Sequence, residues 1–131
     1  MKKILIVDDE INVLLHLSKA LRGNGVDVIT TTMIEEAEYA LKHTYFDLVI
    51  ADIRLTGVVG REGLGLLEYV QKRSPGTKVI IITAYGSKEI ESESYDKGAY
   101  YYFDKPLDLR VLNNCLKEIG IYSDVLNQTK P

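Results

Sequence analysis

The sequence has little that would cross-link the chain or anchor it in a bilayer. Cys115 is its only cysteine, which excludes an intramolecular disulfide and suits a reducing compartment. No apolar run approaches the roughly 18 residues that suggest a membrane span. After the apolar run 4–7, the acids Asp8, Asp9 and Glu10 interrupt the chain before the core of a signal peptide can form. We therefore expect a soluble, cytoplasmic protein that makes no membrane contact.

An excess of charge of one sign is also missing. Lys and Arg number 16, Asp and Glu 19, and the net charge of −3 is spread along the chain, so no basic stripe predicts direct contact with nucleic acid. Internal repeats, low-complexity segments and a glycine fingerprint for dinucleotides are all absent from the sequence. With 131 residues, 46% of them hydrophobic and 27% charged, the composition is typical of one soluble globular domain.

Short apolar runs alternate with helical patterns along the chain. The runs predict five strands, at 4–7, 26–31, 48–51, 79–82 and 100–103. Each run is followed by apolar residues at helical spacing. Five such units predict a parallel sheet with helices on both faces, which is an α/β fold.

Local signals predict where some helices begin and end. Residues 32–35 (Thr-Met-Ile-Glu) fit a capping box for the second helix, and Ser87 is a candidate cap for the fourth. The fourth helix carries few large apolar residues, so we expect it to be the least stable helix. Gly120 is expected to end the fifth helix, and Cys115 is expected to lie in the core.

Residues suited to chemistry stand where the predicted strands end. In chain order they are Asp8, Asp9, Asp52, Thr83 and Lys105. Because the carboxyl ends of parallel strands share one edge of the sheet, we expect these groups to meet in one cleft. Two carboxylates about 4 Å apart repel by about 4 kcal/mol at an effective dielectric constant of 20. A divalent ion that prefers oxygen ligands, such as Mg²⁺, would relieve that repulsion.

The same residues supply the parts of a phosphoryl-transfer site. Such a site needs a carboxylate nucleophile, a metal, and cationic and hydroxyl partners for the phosphoryl oxygens. Asp52 is the candidate nucleophile, Lys105 carries a mobile charge suited to phosphate, and Thr83 offers a hydroxyl donor.

Taken in order, these motifs resemble the receiver domain of two-component response regulators. The matching segments are Asp8-Asp9-Glu10, Asp52-Ile53-Arg54, Thr83-Ala84 and Lys105-Pro106. The resemblance covers nearly the whole chain and implies a flavodoxin-like, doubly wound fold with strand order 2-1-3-4-5. It also implies a receiver domain at 1–120, followed by a polar tail or the start of a linker at 121–131.

The resemblance implies a role for each matching residue. Asp52 would accept a phosphoryl group from a histidine kinase. Asp9 and Asp52 would bind Mg²⁺ together with the backbone carbonyl of Arg54, while Asp8 would assist through water; Mn²⁺ is an alternative ion. The residues expected to contact the phosphoryl group are Thr83, Ala84 and Lys105.

A conformational switch is implied as well. Thr83 would move to bond the phosphoryl group, and the ring of Tyr102 would then turn inward. The bond between Lys105 and Pro106 is expected to be cis. These movements would alter the surface formed by the fourth helix, the fifth strand and the fifth helix, and that change would control an output.

The expected partners follow from this role. A sensor histidine kinase would supply the phosphoryl group, and the output would come from a domain after Pro131 or from a separate effector protein. Homodimerisation through the face formed by 87–119 is a further expectation. The chain is expected to be a phosphoacceptor with slow self-dephosphorylation and not an enzyme.

The sequence departs from the family pattern in one loop. The stretch 57–65, with four glycines, predicts a loop about three residues longer than is usual in the family.

Three other functions are alternatives to the receiver-domain interpretation. A Mg²⁺-dependent phosphohydrolase could use Asp52 as its nucleophile, but such enzymes usually carry a further acid where this chain has Arg54. A flavin carrier would face repulsion between its phosphate and the acids. A receiver fold that acts by constitutive binding would not need the complete acceptor set.

Overall fold

The computed structural model of the chain describes residues 1–22, 25–52, 62–84 and 86–121. Within these residues, five strands alternate with five helices, which confirms the predicted α/β class. The strands are β1 Lys2–Val7, β2 Val26–Thr31, β3 Leu48–Asp52, β4 Lys78–Thr83 and β5 Tyr101–Asp104. The helices are α1 Ile11–Leu21, α2 Ile34–His43, α3 Glu62–Arg73, α4 Lys88–Asp96 and α5 Leu109–Glu118.

The described strands form a parallel sheet in the order β2-β1-β3-β4-β5, which confirms the flavodoxin-like arrangement. β1 lies between β2 and β3, so Leu5 is in register with both Ile29 and Val49. At the other side of the sheet, Thr83 at the end of β4 is in register with Asp104 of β5. Parallel pairing therefore brings the carboxyl ends of β1, β3 and β4 to the same edge.

Strand side chains point alternately to the two faces of the sheet, and helices cover both faces. On one face, Leu5 and Val49 belong to a buried layer that includes residues of α2 and α3. On the opposite face, Ile4 and Ile50 pack in a second layer with residues of α1 and α5. Cys115 lies in the second layer, as predicted, and burial raises the pKa of its thiol to about 11.

The predicted capping box at the start of α2 is wrong. The helix begins at Ile34, Met33 is its N-cap, and no side chain makes a capping hydrogen bond there. This start places Glu36, not Glu35, at the third helical position. The Glu36 carboxylate accepts a hydrogen bond from Thr31 Oγ1 at 2.7 Å, so the threonine that serves this helix end lies in β2.

Both ends of α4 are defined by local chemistry. Ser87 caps the helix as predicted, because its side-chain oxygen accepts the Ile90 N–H at 3.1 Å. After the helix, Gly98 takes a φ of 105°, a conformation that favours glycine. β5 is in register with β4 from Tyr101 onwards, one residue later than predicted, although the Tyr100 N–H already donates to the Val79 carbonyl.

The end of α5 also agrees with the sequence. Gly120 follows the helix with a φ of 82°, which confirms its predicted role as the stop. Across the described parts of the chain, every helix is too short or too polar to cross a membrane.

Candidate functional site

Three polar side chains are buried together at the carboxyl edge of the sheet. Asp8 follows β1, Asp52 is the last residue of β3, and Thr83 is the last residue of β4. Their exposed fractions are 0%, 5% and 0%. Because β3 is hydrogen-bonded to both β1 and β4, the three residues occupy adjacent strand ends.

Lys105, just after β5, reaches across this edge to three carboxylates. Its Nζ lies 2.9 Å from Asp8 Oδ2, 3.2 Å from Asp52 Oδ2 and 2.7 Å from Glu10 Oε1. The Lys105 side chain is largely buried, so these contacts are poorly screened by solvent. A lysine held this close to Asp52 is placed to meet a negatively charged group that arrives there.

Positive and negative charges do not balance in this cluster, since one ammonium faces three carboxylates. Burial by itself would lower the pKa of Lys105, but contacts with the Glu10 and Asp8 carboxylates and the Asp52 charge outweigh it, so the pKa is raised. Burial, helped by the Asp52 charge, raises the pKa of Asp8 despite the opposing effects of the Glu10 amide and the Lys105 ammonium. The site therefore favours binding of additional positive charge.

The geometry of the acids suits a metal ion. Carboxylate oxygens of Asp8, Glu10 and Asp52 lie within 4.8 Å of one another. Asp8 Oδ2 is buried and, in the described part of the chain, has no aligned hydrogen-bond partner, although Lys105 is at ion-pair distance. Carboxylate oxygens are hard donors of the kind that Mg²⁺ prefers.

The structure brings Asp8, Glu10 and Asp52 together, and the expected role of Asp9 as a metal ligand stays a prediction. Asp9 is exposed and does not belong to the group of acids within 4.8 Å, although burial and then the Asp52 charge raise its pKa. Glu10 takes part through its side chain, which the sequence reasoning did not consider as a site residue. The signal was the run of three acids after β1, in which any member could have faced Asp52. Arg54, the expected source of a carbonyl ligand, lies outside the described residues.

Tyr102 of β5 packs inward, close to Thr83. Its side chain is 6% exposed, and its hydroxyl donates to Asp104 Oδ1 at 3.4 Å. Burial, followed by the Asp104 charge, raises the pKa of this phenol to about 12. The backbone N–H of Tyr102 donates to the Tyr95 hydroxyl of α4 at 3.1 Å, so the backbone of β5 at this residue is linked to α4.

A cavity of about 650 Å³ opens beside the charged cluster. Its lining includes Glu10, Lys105 and Ala84, together with His16 of α1 and Pro106. The peptide bond between Lys105 and Pro106 is cis. The predicted phosphoryl-contacting residues Ala84 and Lys105 therefore border a space that opens to solvent.

The expected long loop at 57–65 is tested only in part. α3 begins at Glu62, so the last four residues of that stretch are helical. Residues 57–61 lie outside the described residues, and the predicted extra loop length stays a prediction.

Comparison with known proteins identifies the family to which the chain belongs. The model of the response regulator receiver domain matches residues 4–117. The chain belongs to this receiver-domain family. The response regulator protein PilR of Pseudomonas aeruginosa is 37% identical over 108 residues, which are 82% of this chain and 24% of PilR. The receiver domain thus spans about a quarter of the length of the curated relatives it matches.

Solved structures agree with the receiver-domain fold. A CheY-like receiver domain protein from Methanospirillum hungatei is 35% identical, with a TM-score of 0.83 over 90% of this chain and 92% of that one. The beryllofluoride-activated NtrC4 receiver domain dimer is 30% identical, with a TM-score of 0.84 over 94% of this chain and 100% of that one.

Proposed function

We propose that this receiver domain accepts a phosphoryl group on Asp52 from a histidine kinase in a Mg²⁺-dependent reaction. The observation that carries the proposal is the placement of Lys105 Nζ between Asp52 and Asp8, at 3.2 and 2.9 Å. A carboxylate nucleophile beside a fixed cation and a second acid is the arrangement that phosphoryl transfer requires.

Each residue has a distinct task in this mechanism. A carboxylate oxygen of Asp52 attacks phosphorus, the bond to the histidine nitrogen breaks, and the electron pair stays on the imidazole, which can then take a proton. Lys105 neutralises charge on the transferred group. Thr83 and the backbone at Ala84 would bond phosphoryl oxygens, which is the role that the family resemblance implies.

Mg²⁺ would be held by Asp52 with Asp8 and Glu10 or Asp9, and by the predicted carbonyl of Arg54; Mn²⁺ is the alternative ion. When bound, the ion would offset the charge that accumulates as phosphate approaches the carboxylates. The acids themselves create the need for it, because one ammonium leaves their charge incompletely balanced.

The proposed output is a change in the surface of α4, β5 and α5, communicated by Thr83 and Tyr102. This surface would act on a domain after Pro131, on a separate effector protein, or on a second copy through the face at 87–119. Names among the relatives support a regulatory output: one is a DNA-binding transcriptional regulator, and one similar structure is a receiver domain dimer. We propose a phosphoacceptor that dephosphorylates itself slowly and is not a dedicated enzyme, with 1–120 as the domain.

Labelling with acetyl phosphate tests the acceptor assignment. Intact-protein mass spectrometry should show one phosphoryl group per chain with Mg²⁺ and none with EDTA. Asp52→Asn should abolish labelling. Asp27→Asn, in β2 and in register with Lys3 near the opposite edge of the sheet, should label normally. Equal labelling of Asp52→Asn would show that another residue is the acceptor, and many turnovers of a phosphate ester would favour the phosphohydrolase.

A further inference from the structure

Gly86, in the segment between β4 and α4, lies where the ring of Tyr102 ends. A Cβ atom built on Gly86 would lie 1.6 Å from the Tyr102 hydroxyl oxygen and 2.9 Å from Tyr102 Cζ. It would also lie 2.9 Å from Thr83 Cγ2. Real Cβ atoms are not found at such distances, so the inward ring occupies the volume that any side chain at position 86 would need.

The backbone does not account for a glycine at this position. The described glycines with positive φ are Gly25, Gly98 and Gly120, and Gly86 is not among them. Gly86 is therefore not held in the positive-φ region that favours glycine. Space, and not conformational freedom, is what this glycine provides.

Tyr102 lies near both ends of α4, with its ring at one end and its backbone at the other. Its hydroxyl lies beside Gly86, next to Ser87, the N-cap of the helix, and donates to Asp104 Oδ1 at 3.4 Å. The backbone N–H of the same residue donates to the hydroxyl of Tyr95, which belongs to the last turn of α4. The inward ring therefore occupies the space beside the start of α4, while the bond near the end of the helix comes from the backbone.

We propose that Gly86 is the positioning residue that admits the inward ring of Tyr102, and that a side chain here excludes the ring and releases the start of α4. The regulatory consequence rests on the proposed function: Asp52 would still be phosphorylated, but the change would no longer reach α4. The steric part of the proposal stands independently of phosphorylation.

The test compares Gly86→Ala with Gly65→Ala, a matched control in α3 where a Cβ would have nothing within 4 Å. NMR of tyrosine-labelled protein with a soluble paramagnetic probe reports ring exposure, and Tyr102→Phe assigns the signal. Tyr102 should stay protected in the wild type and in Gly65→Ala, and should become exposed in Gly86→Ala. Protection of the ring in folded Gly86→Ala would overturn the proposal.

A double-mutant cycle keeps the proposal testable if the alanine variant is poorly folded. In the background that keeps Tyr102, Gly86→Ala should increase the equilibrium constant for unfolding by roughly tenfold. The increase should be several-fold smaller in the Tyr102→Phe background, because the atom at 1.6 Å is then absent. An equal increase in both backgrounds would show that the ring hydroxyl is not what excludes a side chain.

A phosphorylation readout separates this proposal from the proposed function. Gly86→Ala and Gly65→Ala should both label with acetyl phosphate as the wild type does, but beryllofluoride should shift the amide signals of 87–104 only in the wild type and Gly65→Ala. If the wild type itself fails to label, the proposed function is wrong while the exposure and stability tests still decide the role of Gly86. Equal amide shifts in all three proteins would refute the release of α4.

Discussion

Replacing Lys105 by methionine removes the cation from the acidic cluster while keeping most of the side-chain volume. We expect the variant to have a markedly lower free energy of unfolding when no divalent ion is present. The reason is that Asp8 and Asp52, both buried, would lose the ammonium that lies close to both of their carboxylates. Breaking a buried network of ion pairs is among the few mechanisms that destabilise a protein by several kcal/mol.

The size of the effect follows from the geometry. Oxygens of Asp8, Glu10 and Asp52 lie within 4.8 Å of one another, a distance at which two charges repel by about 3.5 kcal/mol at an effective dielectric constant of 20. The Glu10 side chain is 59% exposed, so its share is largely screened. The buried pair remains, and opening a buried ion pair by removing one partner typically costs about 3–5 kcal/mol. We expect a loss of about 3 kcal/mol.

Urea unfolding at neutral pH, with and without Mg²⁺, measures this loss. The control is Lys97→Met, which opens the ion pair with Glu68 at the surface and should cost much less than Lys105→Met, because solvent screens that pair. Mg²⁺ should restore most of the stability of Lys105→Met, because a dication bound by the same acids replaces the ammonium. If Lys105→Met unfolds at the same urea concentration as Lys97→Met without Mg²⁺, the electrostatic reasoning is refuted.

Three further changes have definite expected outcomes. Glu10→Gln should accelerate labelling of Asp52 by acetyl phosphate by up to about fivefold at saturating Mg²⁺, because it removes a negative charge that faces the donor and competes for Lys105. Tyr102→Phe should flatten the alkaline stability profile. In the folded protein, the pKa of the Tyr102 phenol is raised to about 12. The free energy of unfolding that this shift contributes is fully present below the ordinary pKa of about 10 and is lost as the pH rises through 12. This loss, of about 2 kcal/mol, should be seen only in the wild type. Ser87→Ala should cost about 1 kcal/mol and increase amide exchange most strongly in α4, since it removes the cap that accepts the Ile90 N–H.

For each of these three variants, one result would contradict the prediction. Unchanged or slower labelling of Glu10→Gln would mean that this carboxylate does not oppose the donor. Parallel stability profiles for Tyr102→Phe and the wild type above pH 10 would mean that the phenol titrates as if exposed. Exchange in Ser87→Ala that is no faster in α4 than in α5 would contradict both the cap and the prediction that α4 is the least stable helix.

Local patterns explain why the fold was predictable. β3 is buried along its whole length, and a continuous apolar run ending in Asp52 is visible without knowledge of the partners. The cap at Ser87 was equally local, because donor and acceptor are three residues apart. The start of α2 could not be predicted from local sequence alone. Thr31 and Thr32 were both candidates to serve this helix end, and Thr31 does so because it lies at the end of β2, where its hydroxyl donates to Glu36.

The same distinction applies to the site. The order of the strands was enough to bring Asp8 and Asp52 together, because strand ends in a parallel sheet share an edge. Which of Asp9 and Glu10 turns towards Lys105 depends on side-chain directions in the turn before α1, about which the run of acids carries no information. The relation between Gly86 and Tyr102 is likewise invisible in the sequence, because these residues belong to segments separated by the whole of α4.

Thr83 lies between the charged cluster around Lys105 and the ring of Tyr102. Its carbonyl accepts the Lys105 N–H at 2.8 Å, which ties the position of the lysine to the end of β4. Its methyl carbon borders the volume at Gly86 that the Tyr102 ring partly fills. Because Thr83 is fully buried in close-packed surroundings, its side chain cannot move towards a group on Asp52 without repacking on the Tyr102 side. Under the proposed function, charge that arrives at Asp52 would therefore reach α4 as a change in packing, provided that position 86 carries no side chain.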